Sequence, residues 1–224
     1  MHKWLLLSLI TLCYGQVHTQ NLAVGLSGNI GLSQVTSNLP FSGDYRVRFA
    51  LSGNAGVFVE HQLTEKSHLS MEVLWVQIEG NEISEDKVLI GVVDGMPAEL
   101  GIIDDRTRLH SSYIGVPISY RYQMGKWGIN AGAQILLFLS ASADSELEGT
   151  FNGEPYYAEG TTEDIEFDTV DYGPRLGVSY QWKPKLALTM NYYHGLVDIT
   201  PSNFPWERKN RQWTVGVRYA FHQQ

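Results

Sequence analysis

The most constraining feature of this chain is a strict alternation of side chains near its C-terminal end, over residues 213–221. Successive side chains of a β-strand point to opposite faces, so this run predicts a strand with one apolar face and one polar face. The apolar face needs apolar surroundings on one side of the strand only. The pattern therefore limits what can surround the strand as well as how the chain can fold. The two faces carry Trp213, Val215, Val217, Tyr219 and Phe221 on one side and Thr214, Gly216, Arg218 and Ala220 on the other.

Seven further runs alternate in the same way, so the sequence predicts about eight strands, a count good to about two. These runs cover about residues 21–33, 45–60, 68–78, 109–123, 127–141, 170–182 and 186–197. In the third run the alternation weakens at Leu74 and Val76.

The predicted connections alternate in length. Short ones fall at 62–67, 124–126 and 183–185, and long ones at 35–44, 79–108, 142–168 and 198–210, with a hairpin expected at 88–93 before Asp94 and Gly95. Short periplasmic turns and long extracellular loops are typical of outer-membrane barrels. The sequence therefore predicts an all-β chain that forms a single antiparallel up-and-down transmembrane β-barrel, closed by its last strand against its first.

The N-terminal residues predict an exported protein. Lys3 precedes a short apolar stretch at residues 4–12, which has the length of a signal-peptide core and is too short to span a bilayer as a helix. We expect a signal peptide at residues 1–19, cleaved after Gly15 or Thr19, and a barrel domain at 20–224. A lipoprotein anchored at Cys13 is the alternative. Cys13 is the single cysteine of the chain. If it is removed with the signal peptide, the mature protein can form neither a disulfide nor a thiolate metal site.

The charge balance argues against nucleic acid as a partner. The chain has 16 basic and 24 acidic residues and a formal net charge of −8, whereas nucleic-acid binding needs a basic face. Its mean hydropathy is slightly negative, but barrel strands carry their membrane face in alternation, so this value does not argue against a membrane location. No motif in the sequence indicates a cofactor.

Aromatic residues cluster where the predicted strands meet the short turns, and two interpretations compete. One is a girdle at the level of the lipid headgroups, and the other is the general preference of aromatic residues for strands. We favour the girdle because all of the residues lie beside the same set of turns. Its members would be Tyr120, Tyr122, Trp127, Tyr180, Trp182, Tyr219 and Phe221.

The predicted inward faces carry charges of both signs. An eight-stranded barrel is only wide enough to be filled by its own side chains, so paired charges would form a structural polar plug. The alternative is a selectivity ring around a pore. The members of the plug would be Arg46, Arg48, Glu60, Glu72, Arg121, Asp171, Arg175 and Arg218.

Two candidate chemical sites are weaker. Residues 144–168 contain nine acidic residues and no Lys or Arg, and Asp144, Glu146 and Glu148 are candidate metal ligands. Their spacing matches no calcium loop, so solvated surface is the preferred interpretation, with cation bridges to lipopolysaccharide phosphates as an alternative. His194 and Asp198 are candidates for a catalytic pair at the barrel rim, against the simpler interpretation of a histidine without a catalytic role.

Three segments together resemble a known family. Residues 113–122 read Tyr-Ile-Gly-Val-Pro-Ile-Ser-Tyr-Arg-Tyr, residues 171–180 read Asp-Tyr-Gly-Pro-Arg-Leu-Gly-Val-Ser-Tyr, and residues 192–198 read Tyr-Tyr-His-Gly-Leu-Val-Asp. In order and spacing they resemble the small outer-membrane β-barrel family of PorT-like proteins, related in shape to the OmpX and OmpA barrels. The resemblance implies a fold and an outer-membrane location, but not one activity.

The leading functional hypothesis is a non-enzymatic outer-membrane barrel that acts in surface interaction, envelope integrity or support of secretion. The expected partners are outer-membrane lipid and lipopolysaccharide, the barrel-insertion machinery and proteins bound through the external loops. Three alternatives remain: a small passive porin, a lipid-modifying barrel enzyme using His194, and a soluble lipocalin-like ligand binder with inward apolar faces.

Overall fold

The computed structural model describes residues 22–37, 44–93, 96–165, 167, 169–200 and 207–222. The expected signal peptide lies outside these residues. The described residues form no helix long and apolar enough to cross a membrane. They form nine strands: β1 (Leu22–Ser37), β2 (Asp44–Thr64), β3 (Ser67–Val93), β4 (Met96–Met124), β5 (Trp127–Phe151), β6 (Glu154–Thr162), β7 (Val170–Lys183), β8 (Leu186–His194) and β9 (Arg208–His222).

Eight of these strands close into a ring in the order β1-β2-β3-β4-β5-β7-β8-β9, with every neighbouring pair antiparallel. The ring closes where β9 pairs with β1, from Val24 opposite His222 to Ser37 opposite Arg208. β6 pairs with β5 outside the ring. The predicted up-and-down barrel of about eight strands, sealed by its first and last strands, is therefore confirmed.

The short turns lie at one end of the barrel, which we call the lower end. They consist of residues 65–66, 125–126 and 184–185, within the three predicted short connections. Gly125 has a φ of 62°, a left-handed conformation that glycine adopts without steric cost. Both ends of the described chain, Leu22 and His222, also lie at this lower end.

Two of the predicted long loops, 79–108 and 142–168, are wrong for most of their length because β3, β4 and β5 continue through them and β6 is added. The β3–β4 ladder extends to Val93 opposite Met96, which confirms the expected hairpin. β4 has 29 residues, whereas about 9–11 tilted residues cross a bilayer. We call the projecting part, residues 82–93, 96–108, 143–151 and 154–162, the external sheet.

The outer face of the barrel carries a continuous apolar band. On β3 it runs from Leu69 to Trp75 and ends at Gln77, and on β9 it runs from Trp213 to Phe221. These side chains are exposed to an unusual extent for large apolar residues, up to 70% at Leu51. Because the apolar faces point outward, the lipocalin-like alternative is wrong.

The inside of the barrel has two layers. The lower layer, called the charged layer, consists of Glu60, Ser70, Glu72, Arg121, Arg175 and Arg218, all buried. The upper layer, called the apolar layer, includes Val35, Leu74, Val76, Ile78, Tyr113, Leu136, Phe167, Tyr193 and Ile199. Phe167 and Ile199 come from the connections above β7 and β8, so the chain folds back into the upper mouth.

Candidate functional site: a filled barrel below an external cavity

Glu60 is the centre of the charged layer. Its carboxylate accepts a hydrogen bond from Arg121 Nη2, lies 3.3 Å from Arg218 Nη1 and 3.5 Å from His68 Nδ1. Arg218 also donates to Ser70 Oγ at 2.8 Å and lies over the Phe58 ring, 4.0 Å from its centroid. One carboxylate therefore holds two buried guanidinium groups that come from opposite sides of the barrel.

A second set of contacts completes the charged layer above Glu60. Ser27 Oγ donates to Glu72 Oε2 at 3.2 Å, and Arg175 Nη1 donates to Gln134 Oε1 at 3.1 Å. The void between these side chains has a volume of only about 10 Å³, which is room for about one water molecule. The charged layer and the apolar layer above it therefore fill the barrel along the path that a pore would take.

Asp171 lies apart from this charged layer, beside the apolar layer. It is fully buried, and Asn210 Nδ2 donates to its Oδ2 at 3.0 Å. The same amide lies 3.4 Å from the hydroxyl of Tyr113, which is also fully buried. Asp171 therefore belongs to a separate polar cluster within the upper half of the barrel.

The structure separates the predicted plug residues into two groups. Glu60, Glu72, Arg121, Asp171, Arg175 and Arg218 are buried inside. The prediction was wrong for Arg46 and Arg48, which are exposed at the upper end of β2. Arg46 lies 3.8 Å from Glu85 across the β2–β3 ladder. A register shift on β2 between Phe49 and Gly53 reverses the faces of the residues above it. Arg46 and Arg48 therefore share the outer face of the ladder with Ile83 and Asn81 of β3.

A cavity of about 700 Å³ lies against the external sheet, on the face that continues the outer surface of the barrel, where Arg48 is opposite Asn81 and Asn81 is opposite Arg108. Its walls carry charges of both signs: Arg48, Arg106 and Arg108 together with Glu82, Asp144, Glu146 and Glu159. Across β4 and β5, Arg108 is opposite Asp144 and Arg106 is opposite Glu146. This cavity was not predicted because its strands had been interpreted as loops.

Some of these wall charges have partners and others do not. Glu82 accepts a bidentate pair of hydrogen bonds from Arg208, at 3.1 and 2.9 Å. Asp144 accepts from Thr161 Oγ1 at 2.8 Å and lies 3.4 Å from His110 Nε2. Among the described residues, the guanidinium groups of Arg48, Arg106 and Arg108 and the carboxylate of Glu146 have no hydrogen-bond or ion-pair partner.

Two of the candidate metal ligands, Asp144 and Glu146, line this cavity, and the third, Glu148, lies further along β5. Asp144, Glu146 and Glu148 occupy every second position of β5, so they share one face of the sheet. Within the described part of the chain, no group of three or more His, Cys, Asp or Glu residues is placed to hold a metal ion. Their neighbours across the ladder include two arginines, which supply positive charge where a metal site would need further oxygen ligands.

The structure does not bring the proposed catalytic pair together. His194 Nδ1 lies 2.9 Å from the Tyr192 hydroxyl. Asp198 Oδ1 instead accepts the backbone N–H groups of Thr200 and Arg208, at 3.0 and 2.8 Å, and fixes the turn above β9. Partial burial alone would raise the pKa of Asp198, but these N–H donors outweigh it and lower that pKa.

The predicted aromatic residues lie on the outer surface around the lower end. Six of them are between 42% and 58% exposed, and Tyr180, which is less exposed, packs against Trp127 with ring centroids 4.9 Å apart. A second, upper set was missed. It consists of Trp75, Tyr172, Tyr192 and Trp213, and the rings of Tyr192 and Trp213 stack at 4.3 Å. The signal was available, since Trp75 and Trp213 are the last outward apolar residues before Gln77 and Arg211.

A closed ring of antiparallel strands, with an exposed apolar band between two sets of aromatic residues and a polar interior, defines a transmembrane β-barrel of the outer membrane. The chain belongs to the outer membrane protein beta-barrel domain family, whose model matches residues 15–200. The protein is therefore located in the outer membrane of a Gram-negative bacterium. The predicted family is confirmed at this level, and its PorT-like branch is not distinguished by the match.

Solved structures of small outer-membrane barrels are similar to this chain at low sequence identity. Neisserial surface protein A is 13% identical, with 88% of this chain and 97% of that chain covered and a TM-score of 0.44. Ail of Yersinia pestis is 10% identical, with 91% and 100% covered and a TM-score of 0.41. OmpT from Escherichia coli is 10% identical, with 90% and 95% covered and a TM-score of 0.39. No curated protein sequence matches the chain.

Proposed function

We propose that this protein is a non-enzymatic surface-interaction barrel, which binds a partner outside the cell through its external sheet and cavity. The observation that carries the proposal is the contrast between a filled barrel and an unusually long external projection. Measured along β3, about 60 Å of strand follows Trp75, the last residue of the apolar band, at ~3.3 Å per residue. Structure of this length is unnecessary for a protein that acts only as a membrane anchor.

The cavity wall also indicates the chemistry of the partner. Arg48, Arg106 and Arg108 would donate hydrogen bonds to carboxylate groups, and Glu146 would accept them from an amine or guanidinium group, because none of the four has a partner among the described residues. A uniformly charged polyanion would be repelled by Asp144, Glu146 and Glu159. A protein segment that carries both signs of charge fits this wall better.

The alternatives receive less support. A passive porin needs a continuous aqueous path, and the interior void between Glu72, Arg175 and Arg218 has room for about one water molecule. A lipid-modifying enzyme needs a nucleophile or carboxylate within hydrogen-bond reach of its histidine. The described polar contact of His194 is the Tyr192 hydroxyl, and Asp198 is engaged by two backbone N–H groups.

The first test compares cell-surface capture by three forms of the full-length protein: the wild type, an Arg106→Gln/Arg108→Gln variant and an Arg46→Gln control. Arg46 is an exposed arginine at the same end of the barrel that does not line the cavity. Intact cells are treated with a cross-linker and the barrel is purified from detergent extracts. We expect a cross-linked partner protein with the wild type and the control, and loss of at least 80% of it with the cavity variant. Equal capture by all three would contradict the proposal.

The second test is electrical. The purified wild-type barrel, reconstituted in a planar lipid bilayer, should give no stable conductance because both interior layers are filled. A stable single-channel conductance would favour the porin alternative over the proposed role.

A further inference from the structure

A row of polar and basic side chains stands on the outer surface directly above the upper aromatic set, on three adjacent strands. On β9, Arg211 and Lys209 have the same outward parity as Trp213. In the ladders, Arg211 is opposite His194 of β8 on one side and Gln34 of β1 on the other. One step below, Trp213 is opposite Tyr192 and Leu32 in the same two ladders.

This register places basic groups at the depth where lipid headgroups lie. Stacked aromatic rings such as Tyr192 and Trp213 occupy the boundary between hydrocarbon and headgroups. The next outward residue toward the cell exterior is Arg211, one pleat repeat or about 7 Å further along the strand. A guanidinium group at that depth faces the phosphate layer of the outer leaflet.

Within the part of the chain that the structure describes, Arg211 has no partner for its charge. The described residues offer it neither a hydrogen bond nor an ion pair, and its Nε is buried without an acceptor. Lys209 lies 3.4 Å from Glu207, but both side chains are exposed, so this pair is weak and can open toward another anion. In the tautomer in which His194 Nδ1 accepts from Tyr192, its Nε2–H is a further donor.

We infer that Arg211, with Lys209 and His194 beside it, binds a phosphate group of an outer-leaflet lipid that carries phosphorylated sugars. The guanidinium group matches a phosphate in a bidentate geometry, and the aromatic rings below it pack against the acyl chains of the same lipid. This site lies on the barrel wall, separate from the external cavity.

The test measures retention of a lipid on the purified full-length barrel by native mass spectrometry. Two probes are used, bis-phosphorylated lipid A and the same lipid after removal of both phosphates. Arg211→Gln is compared with Lys126→Gln, which removes the same charge from the exposed lower turn. We expect Arg211→Gln to weaken binding of the phosphorylated lipid at least tenfold and Lys126→Gln to change it less than twofold. Binding of the dephosphorylated lipid should be weak and equal in all three proteins.

Three results would overturn the inference. Unchanged affinity of Arg211→Gln for the phosphorylated lipid would remove the residue from the site. An equal loss of both lipids would show that the substitution disturbs the wall rather than a phosphate contact. Displacement of the lipid by millimolar inorganic phosphate would indicate a site for free anions. Because Arg211→Gln leaves the external cavity intact, capture of the surface partner should persist whichever result is found.

Discussion

The two layers inside this barrel solve the same packing problem with opposite chemistry. The charged layer joins the strands through Glu60, which holds Arg121 and Arg218, whereas the apolar layer fills the same cross-section with side chains such as Leu74 and Leu136. The charged layer depends on every member having its partner, because an unpaired buried charge is costly. The apolar layer depends on filled volume, so the loss of stability should grow with the volume that a substitution removes. Substitutions in the two layers should therefore fail in different ways.

The largest expected effect comes from breaking the charged layer at its centre. Glu60→Gln keeps the shape of the side chain but leaves Arg121 and Arg218 buried without a negative partner. We expect it to lower the free energy of unfolding by about 3–5 kcal/mol. The measurement is urea unfolding of the barrel in liposomes, followed by tryptophan fluorescence. Glu65→Gln, at the exposed lower turn, is the control. A loss below about 1 kcal/mol, within the range of an exposed ion pair, would mean that the charged layer is held by packing and not by Glu60.

The matching substitution in the apolar layer is Leu74→Ala. Leu74 is 1% exposed, so its truncation leaves a cavity and should lower the free energy of unfolding by about 2–5 kcal/mol. The neighbouring Val73→Ala, on the outer face and 45% exposed, should cost less because lipid fills the space. Equal losses at the two positions, measured by the same unfolding assay, would count against a packed apolar layer.

A smaller effect is expected at the polar cluster beside the apolar layer. Asn210→Leu removes the amide that donates to Asp171, and should lower the free energy of unfolding by about 1–3 kcal/mol because a buried acceptor loses its donor. Thr150→Val, on the exposed part of β5, is a neutral comparison. A stabilising effect of Asn210→Leu would show that the polar cluster lowers the stability of the barrel, and that apolar side chains at this position would raise it.

The smallest expected effect is the pH dependence at Asp198, above the apolar layer. Its pKa is lowered in the folded protein, so its contribution is present above its ordinary pKa of 3.8 and is lost as the pH falls through the lower, folded value. Asp198→Asn should therefore flatten the acid limb of the stability profile, measured as the free energy of unfolding between pH 5 and pH 2. An unchanged acid limb would show that the hydrogen bonds from the N–H groups of Thr200 and Arg208 do not need the negative charge of Asp198 in order to stabilise the fold.

The sequence was informative wherever one face of a strand meets lipid and the other meets polar groups. Alternation alone placed Glu60, Arg121 and Arg218 inside and the aromatic residues of the lower girdle outside. It weakened at Leu74 and Val76 because there both faces are apolar, one toward lipid and one toward the apolar layer. The same rule failed in the external sheet because apolar and charged residues share each face. Ile102 and Arg106 are both exposed, and Ile103 and Glu82 are both buried.

The candidate site was less predictable than the fold. The cavity depends on register, which places Arg108 beside Asp144 although 36 positions separate them in sequence. No local motif encodes such a pairing. The reverse error occurred at His194 and Asp198, which are close in sequence but have different hydrogen-bond partners in the structure. Where the chain leaves a strand, two residues that are close in sequence need not be in contact.

The length of the β3–β4 hairpin has a mechanical consequence. The two strands that form part of the barrel wall also form the projection, with pairing from Ser67 opposite Tyr122 to Val93 opposite Met96. A pull applied at the tip by an attached object loads both strands in the same direction, so the ladders that join them to β2 and β5 resist it together in shear. Over its described strands, such a hairpin transmits tension to the membrane as a stiff rod does.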